Sequence, residues 1–143
     1  MASPSTWRSL RHFSPSEFIE PALMDDGLVY WLDDVRERAG IPLVVTSSYR
    51  SPDANSRAGG FGMSLHLSGC AVDVVTKSMR EAGDVPADVF KIAAAVTAST
   101  CGRRREMIIE RRSGVWHVHL GLFPPSDKRP DRLTFINIGL PNV

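Results

Sequence analysis

The sequence predicts an α+β fold: a small, largely antiparallel β-sheet flanked by helices. Three observations predict it. Helix-like and strand-like stretches are mixed without the regular strand–helix–strand alternation of a parallel sheet. Two strand-like stretches follow one another with only Arg112-Ser113-Gly114 between them, a turn signal. A chain of 143 residues, 43% hydrophobic and 23% charged, suits one globular domain that buries its core without cross-links.

Residues 1–13 read as an N-terminal arm, residues 14–123 as the domain, and residues 124–143 as a C-terminal extension packed on it or extending from it. Ser14-Pro15-Ser16-Glu17 is a helix start, with a Ser cap, Pro at the first helical position and Glu to close a capping box. A longer helix runs from about Asp25 to Ala39. Leu28, Trp31, Leu32 and Val35 fall at helical spacing on one face, and Gly40 stops it. Pro42 to Tyr49 is rich in β-branched residues and reads as a buried strand. Ser51-Pro52-Asp53 opens a loop that continues through Gly59, Gly60 and Gly62. Cys70 to Thr76 is a second strand, and Pro86 to Thr100 is a helix with Val89, Ile92, Ala93 and Val96 on one face. Glu106 to Arg111 and Val115 to Leu122 form the hairpin. Pro124, Pro125 and Pro130 mark the exit into a last extended piece, Leu133 to Ile138. No internal repeat or low-complexity block interrupts this order.

A net charge of +1 gives no broad attraction for nucleic acid or a membrane surface. Arg103, Arg104, Arg105, Arg111 and Arg112 form a local basic cluster, read as a solvated strand end and loop rather than a polyanion site. No apolar run reaches the ~18 residues of a membrane span. Met1 to Arg11 lacks the apolar stretch of a secretory signal, so the expectation is a protein made in the cytoplasm that reaches any outside substrate by another route. Cys70 and Cys101 give no metal-binding pair; they are two thiols or one bridge.

The chemistry lies in two short clusters. In the first, His66 ends the Gly-rich loop and Asp73 sits inside the following strand, between Val72 and Val74. An Asp in such company is either turned to the surface or buried against a cation. In the second, His117 and His119 stand two apart on a strand and so share a face, while Trp116, Val118 and Leu120 share the other, which suits a core. Imidazole nitrogens and a carboxylate on rigid elements are a zinc-binding set. If the hairpin loop has two residues, Arg112 pairs with Val115, Arg111 with Trp116 and Glu110 with His117, so Glu110 stands on the face of the two histidines. An odd-length loop would turn it away. Arg50, at the end of a buried strand, offers a planar cationic fork for a carboxylate or a carbonyl oxygen.

Ser64-x-His66-x-x-Gly69-x-Ala71-x-Asp73 followed by His117-x-His119 resembles the zinc D-Ala-D-Ala carboxypeptidases and L-Ala-D-Glu endopeptidases, a superfamily that includes phage endolysins and the hedgehog domain. Thr46 to Pro52, with Asn55 and Gly59-Gly60, is similar to the segment those enzymes carry before their first metal ligand. The resemblance implies a hedgehog/DD-peptidase-like sheet that carries the metal site, with Zn²⁺ on His66, Asp73 and His119. It makes Glu110 the general base, Arg50 the group that polarises the scissile carbonyl and His117 a helper near the oxyanion. Ser64 would orient the site or the substrate. The spacing from Glu110 to His119 is longer than in many relatives, and several carry another residue in place of His117. The implied substrate is a peptidoglycan stem peptide, and the implied setting is a phage lysis or virion-associated enzyme, with assembly contacts through the terminal arms. The alternative is a metal-binding structural or binding module on the same fold with little catalysis; a third reading is a histidine-containing domain that holds no metal.

Overall fold

Apolar residues at helical spacing fix the longest helix, Asp26–Ala39 (α2), in the computed structural model of the chain, which describes residues 1–60, 62–80, 86–112 and 114–137. Asp25 caps α2, its Oδ1 accepting the Leu28 N–H at 2.9 Å. Gly40 ends it in the left-handed region, φ +68°, where a side chain would be strained. Leu28, Val29, Trp31, Leu32 and Val35 are buried, each such side chain stabilising the fold by about 1.5–3 kcal/mol. The second long helix, Ala87–Ala98 (α4), packs on α2 and buries Val89, Ile92, Ala95 and Val96. The Trp31 indole N–H between them donates to Ser99 Oγ at 2.8 Å, which satisfies a polar atom in the core.

The sheet has five strands: β1 (Val44–Ser47), β2 (Ala71–Val75), β3 (Arg105–Arg112), β4 (Val115–Leu122) and β5 (Arg132–Asn137). Their order is β1-β2-β4-β3-β5. β1–β2, β2–β4 and β4–β3 are antiparallel and β3–β5 is parallel, so the molecule is α+β with a mainly antiparallel sheet flanked by helices. Directly opposed residues project to one face. Val72 pairs with Leu120 and Val74 with Val118, and these four side chains are buried in the core. Asp73 pairs with His119, and the alternation of a strand sends both to the opposite face.

Four stretches differ from the sequence expectation, one of them the strand expected to be buried from Pro42 to Tyr49, which is the four-residue edge strand β1 with Val44 exposed. The N-terminal arm is part of the fold: Ser3 accepts the Thr6 N–H to start a helix, Pro4–Ser9 (α1), and Ala2, Trp7 and Phe13 are buried in the core. A free arm would leave those rings in water. The loop expected from Ser51 to Gly62 begins with a helix, Pro52–Arg57 (α3), started by Ser51 accepting the Ala54 N–H and by Pro at the first position. The helix start at Ser14 stops after a single 3-10 turn, Pro15–Glu17, although the capping box is present. The last extended piece pairs with β3 as an edge strand, and Phe135 meets Trp116 at 5.6 Å between ring centroids. Ser113 of the hairpin turn and residues 138–143 of the C-terminal extension, with the expected strand end at Ile138, lie outside the described residues.

The basic cluster is largely spent inside the molecule. Arg103 reaches Asp25 at 2.6 Å, Arg104 reaches Asp127 at 3.2 Å and Arg105 reaches Asp131 at 2.6 Å. These guanidinium groups tie the start of β3 to α2 and to the connection that leads into β5. Both cysteines are free thiols, Cys70 buried and Cys101 half-buried.

Candidate metal centre

A 3-10 turn, Leu65–Ser68, delivers the first imidazole. Ser64 caps it by accepting the His66 N–H at 3.3 Å, and Gly69 closes it at φ +70°. A side chain at Gly69 would lie 2.0 Å from the Leu23 carbonyl oxygen, so only glycine fits there. The Arg50 N–H donates to the His66 carbonyl at 3.0 Å, which joins this turn to the end of β1. His66 is 2% exposed.

His66, Asp73 and His119 come together as the spacing predicts, each offering one donor atom, all within 4.8 Å of one another. His66 Nε2 stands 3.4 Å from Asp73 Oδ1, and His119 Nδ1 stands 3.2 Å from the same oxygen. Ligands at roughly 2.0–2.2 Å from a tetrahedral zinc stand about 3.3–3.5 Å apart. The outer nitrogens are already committed. His66 Nδ1 lies 2.7 Å from the Ser48 carbonyl, an acceptor only, so it carries the proton and leaves Nε2 with its lone pair toward the cluster. His119 Nε2 lies 2.8 Å from Glu106 Oε1 and donates there; with no ion bound, Nδ1 also holds a proton toward Asp73 Oδ1 at 3.2 Å, the proton a metal ion would displace. A backbone carbonyl behind one ligand and a carboxylate behind the other are the outer contacts by which proteins orient metal-binding histidines. The donor set fits a divalent zinc ion.

The electrostatics agree. Burial alone would raise the Asp73 carboxyl, but the His119 and His66 side chains beside it outweigh burial and hold Asp73 far below the usual carboxylate range. Burial disfavours a charged His119, yet the Asp73 and Glu106 carboxylates on its two sides raise its pKa to about 9. Glu106 is lowered in turn: burial opposes ionisation, and the His119 hydrogen bond overrides it. A half-buried and a buried carboxylate, Asp73 and Glu106, beside two imidazoles call for positive charge between them.

The remaining candidates sit around this cluster. Arg50 donates through Nη2 to Asp73 Oδ2 at 2.9 Å and through Nε to Ser47 Oγ at 2.9 Å, so its fork fixes the Asp73 carboxylate. Glu110 pairs with His117 in the register expected for a two-residue turn, Arg112 standing opposite Val115. Its carboxylate is mostly buried and meets Arg112 at 3.1 Å. The remaining histidine, His12, pairs with Glu37 away from the cluster.

Sequence reasoning missed Glu106 and Ser48. Glu106 was within reach of the argument that found Glu110: Ile108 opposes His119, so Glu106 and Glu110 flank that histidine on one face of β3. Ser48 acts through its backbone carbonyl, which no residue identity announces.

The chain matches the family model described as Peptidase M15 over residues 12–110. That span carries Arg50, Ser64, His66, Asp73 and Glu110, while His117 and His119 follow it on β4, the strand paired with β2. No curated protein matches the chain. With a matched span of this length and a His–Asp–His cluster of zinc-binding geometry, the chain belongs to the Peptidase M15 family of zinc-dependent metallopeptidases.

Proposed function

We propose that the chain hydrolyses an amide bond in peptidoglycan stem peptides, as a carboxypeptidase of the D-Ala-D-Ala type or an endopeptidase of the L-Ala-D-Glu type. The single observation that carries the hydrolytic part is the cluster itself: three donors within 4.8 Å of one another, both imidazole nitrogens 3.2–3.4 Å from Asp73 Oδ1, with the outer nitrogens of both histidines already occupied. The substrate class rests on the order and spacing of the motifs, Ser64 to Asp73 followed by His117-x-His119.

Zn²⁺ held by His66 Nε2, Asp73 and His119 Nδ1 would supply Lewis-acid polarisation of water and of the scissile carbonyl. Glu110 takes a proton from the attacking water on its carboxylate and returns it to the leaving amine nitrogen. Glu106 is less suited to that task, because one oxygen is engaged by His119 at 2.8 Å and the other faces Arg132 at 3.6 Å. Arg50 holds Asp73 through Nη2, and its Nη1, which bonds to no described residue, donates to the carbonyl oxygen as negative charge builds there. His117, beside Glu110, adds a donor on the same side, and Ser64 holds the turn that carries His66.

Zinc-loaded chain incubated with purified peptidoglycan and with defined muropeptides tests the proposal. Release of D-Ala or of a stem-peptide fragment, abolished by a chelator and restored by zinc, is the expected result. Zinc binding with no product from any muropeptide would favour the metal-holding module instead.

A further inference from the structure

Glu20 is the one described non-glycine residue with a left-handed backbone, φ +51° and ψ +59°. Two local forces oppose that conformation. Its Cβ crowds the neighbouring carbonyl there, and the Pro21 ring that follows pushes the preceding residue toward extended backbone. The surroundings hold it in place. Ile19 N–H donates to Ser48 Oγ at 2.8 Å, Ser48 Oγ–H donates back to the Ile19 carbonyl at 2.9 Å, and Leu23 N–H bonds to the Glu20 carbonyl at 2.9 Å. The strained residue is thus anchored to Ser48, whose own carbonyl orients His66.

This placement sets Glu20 in the wall of a cavity of about 490 Å³ whose lining includes Ile19, Leu23, Ser47, Tyr49 and Arg50. The cavity adjoins the metal cluster, because Ser47 pairs with Asp73 across β1–β2 and Arg50 Nη2 reaches Asp73 Oδ2. The Glu20 carboxylate makes no hydrogen bond or ion pair with any described residue. The exposed Glu20 carboxylate and the Arg50 guanidinium therefore line one cavity together with apolar side chains such as Ile19 and Leu23, and backbone strain of this kind clusters at ligand-binding sites.

We propose that Glu20 receives an ammonium group of the peptide substrate and makes this cavity a subsite selective for amine-bearing residues. The inference rests on the peptidase reading above. The ammonium has two possible sources, the free N-terminus of a short peptide and the side chain of a diamino acid, and the chemistry that recognises them is the same.

The test uses the zinc-loaded full chain and defined peptides with both amines free, with the N-terminus acetylated, with the diamino side chain acetylated, or with both capped. Cleavage is followed as kcat and KM, and binding by calorimetry. Capping the recognised amine is expected to lower kcat/KM roughly 10–100-fold, mainly through KM, and the arm that shows the loss names the source. In Glu20→Gln the same cap should change kcat/KM less than about twofold, with Tm unaltered. Glu20→Gly should raise Tm by roughly 2–4 °C as the strain is relieved, and lose the same selectivity. Cleavage that ignores every cap, or that keeps its preference in Glu20→Gln, overturns the Glu20 subsite while the peptidase reading stands. Amine-selective binding without cleavage does the reverse. A Glu20→Gly chain that melts lower than wild type would assign the left-handed backbone to the fold, against the proposal.

Discussion

His66 and Asp73 stand seven positions apart in sequence and His119 lies 46 residues beyond Asp73, yet one donor atom from each comes within 4.8 Å of the others. His66→Ala and Asp73→Ala are each expected to lose zinc and activity together, read by metal analysis of the purified protein beside the muropeptide assay. Glu110→Gln should retain zinc and lose turnover by about 10²–10⁴-fold; full activity in that variant would require another base. Glu106→Gln separates outer support from direct ligation. The neutral amide still accepts from His119 Nε2 but no longer brings a charge, so zinc affinity measured by chelator competition should fall roughly 10–100-fold with all three ligands in place. Unchanged affinity would make the 2.8 Å contact incidental. The His–Asp–His cluster was legible in the sequence because imidazoles and an acid in strand and loop positions have few other reasons to share this spacing. Glu106 was not, because among five neighbouring arginines its charge has an ordinary surface explanation until the register with His119 is known.

Elements with their own punctuation were legible, and elements made by distant pairing were not. Helix α2 has an Asp cap, four apolar residues at helical spacing and a Gly stop, and it forms where those signals put it. Helix α3 has a Ser cap and a Pro start but only six residues, with glycines close behind, and the same Ser-Pro-Asp signal also opens loops. Strand β5 pairs in parallel with β3 across a Pro-rich connection, a partnership that leaves no local pattern in either strand. One consequence at this scale concerns acid. Asp25 is both the cap of α2 and the partner of Arg103; burial would raise its pKa, but the Arg103 and Leu28 hydrogen bonds outweigh that and lower it. A carboxyl whose folded pKa lies below its unfolded value of 3.8 contributes stability that is complete above that value and is lost as pH falls through the folded one. Urea midpoints of the wild type should therefore drop between about pH 5 and about pH 2. Asp25→Asn, which keeps the capping oxygen and removes the charge, should begin lower and drop less. An identical drop in both chains would place the acid sensitivity in other carboxylates.

Across the whole molecule, the three residues of the candidate metal centre join elements that the core already joins. His66 comes from the turn before β2, Asp73 from β2 and His119 from β4, and the other face of β2 and β4 packs Val72, Val74, Val118 and Leu120 into the core beneath the helices. An ion bound there is linked to the folding equilibrium of the entire domain. Free zinc at about 100 times its Kd should stabilise the native state by about 2.7 kcal/mol, seen as a Tm that climbs with zinc concentration. In His66→Ala the climb should vanish. A wild-type Tm indifferent to zinc would mean that the ion does not select the folded chain.

The strand order has a consequence for how such a protein matures. Because β4 sits between β2 and β3, the second imidazole reaches its partners only after the later half of the chain has come back and inserted beside the earlier half. A chain still growing from the ribosome exposes His66 and Asp73 long before His119 has been made, and two donors on a floppy segment hold zinc poorly. Metal capture therefore waits for β4: the three donors can close on one ion only once residues 115–122 have been made and have paired with β2.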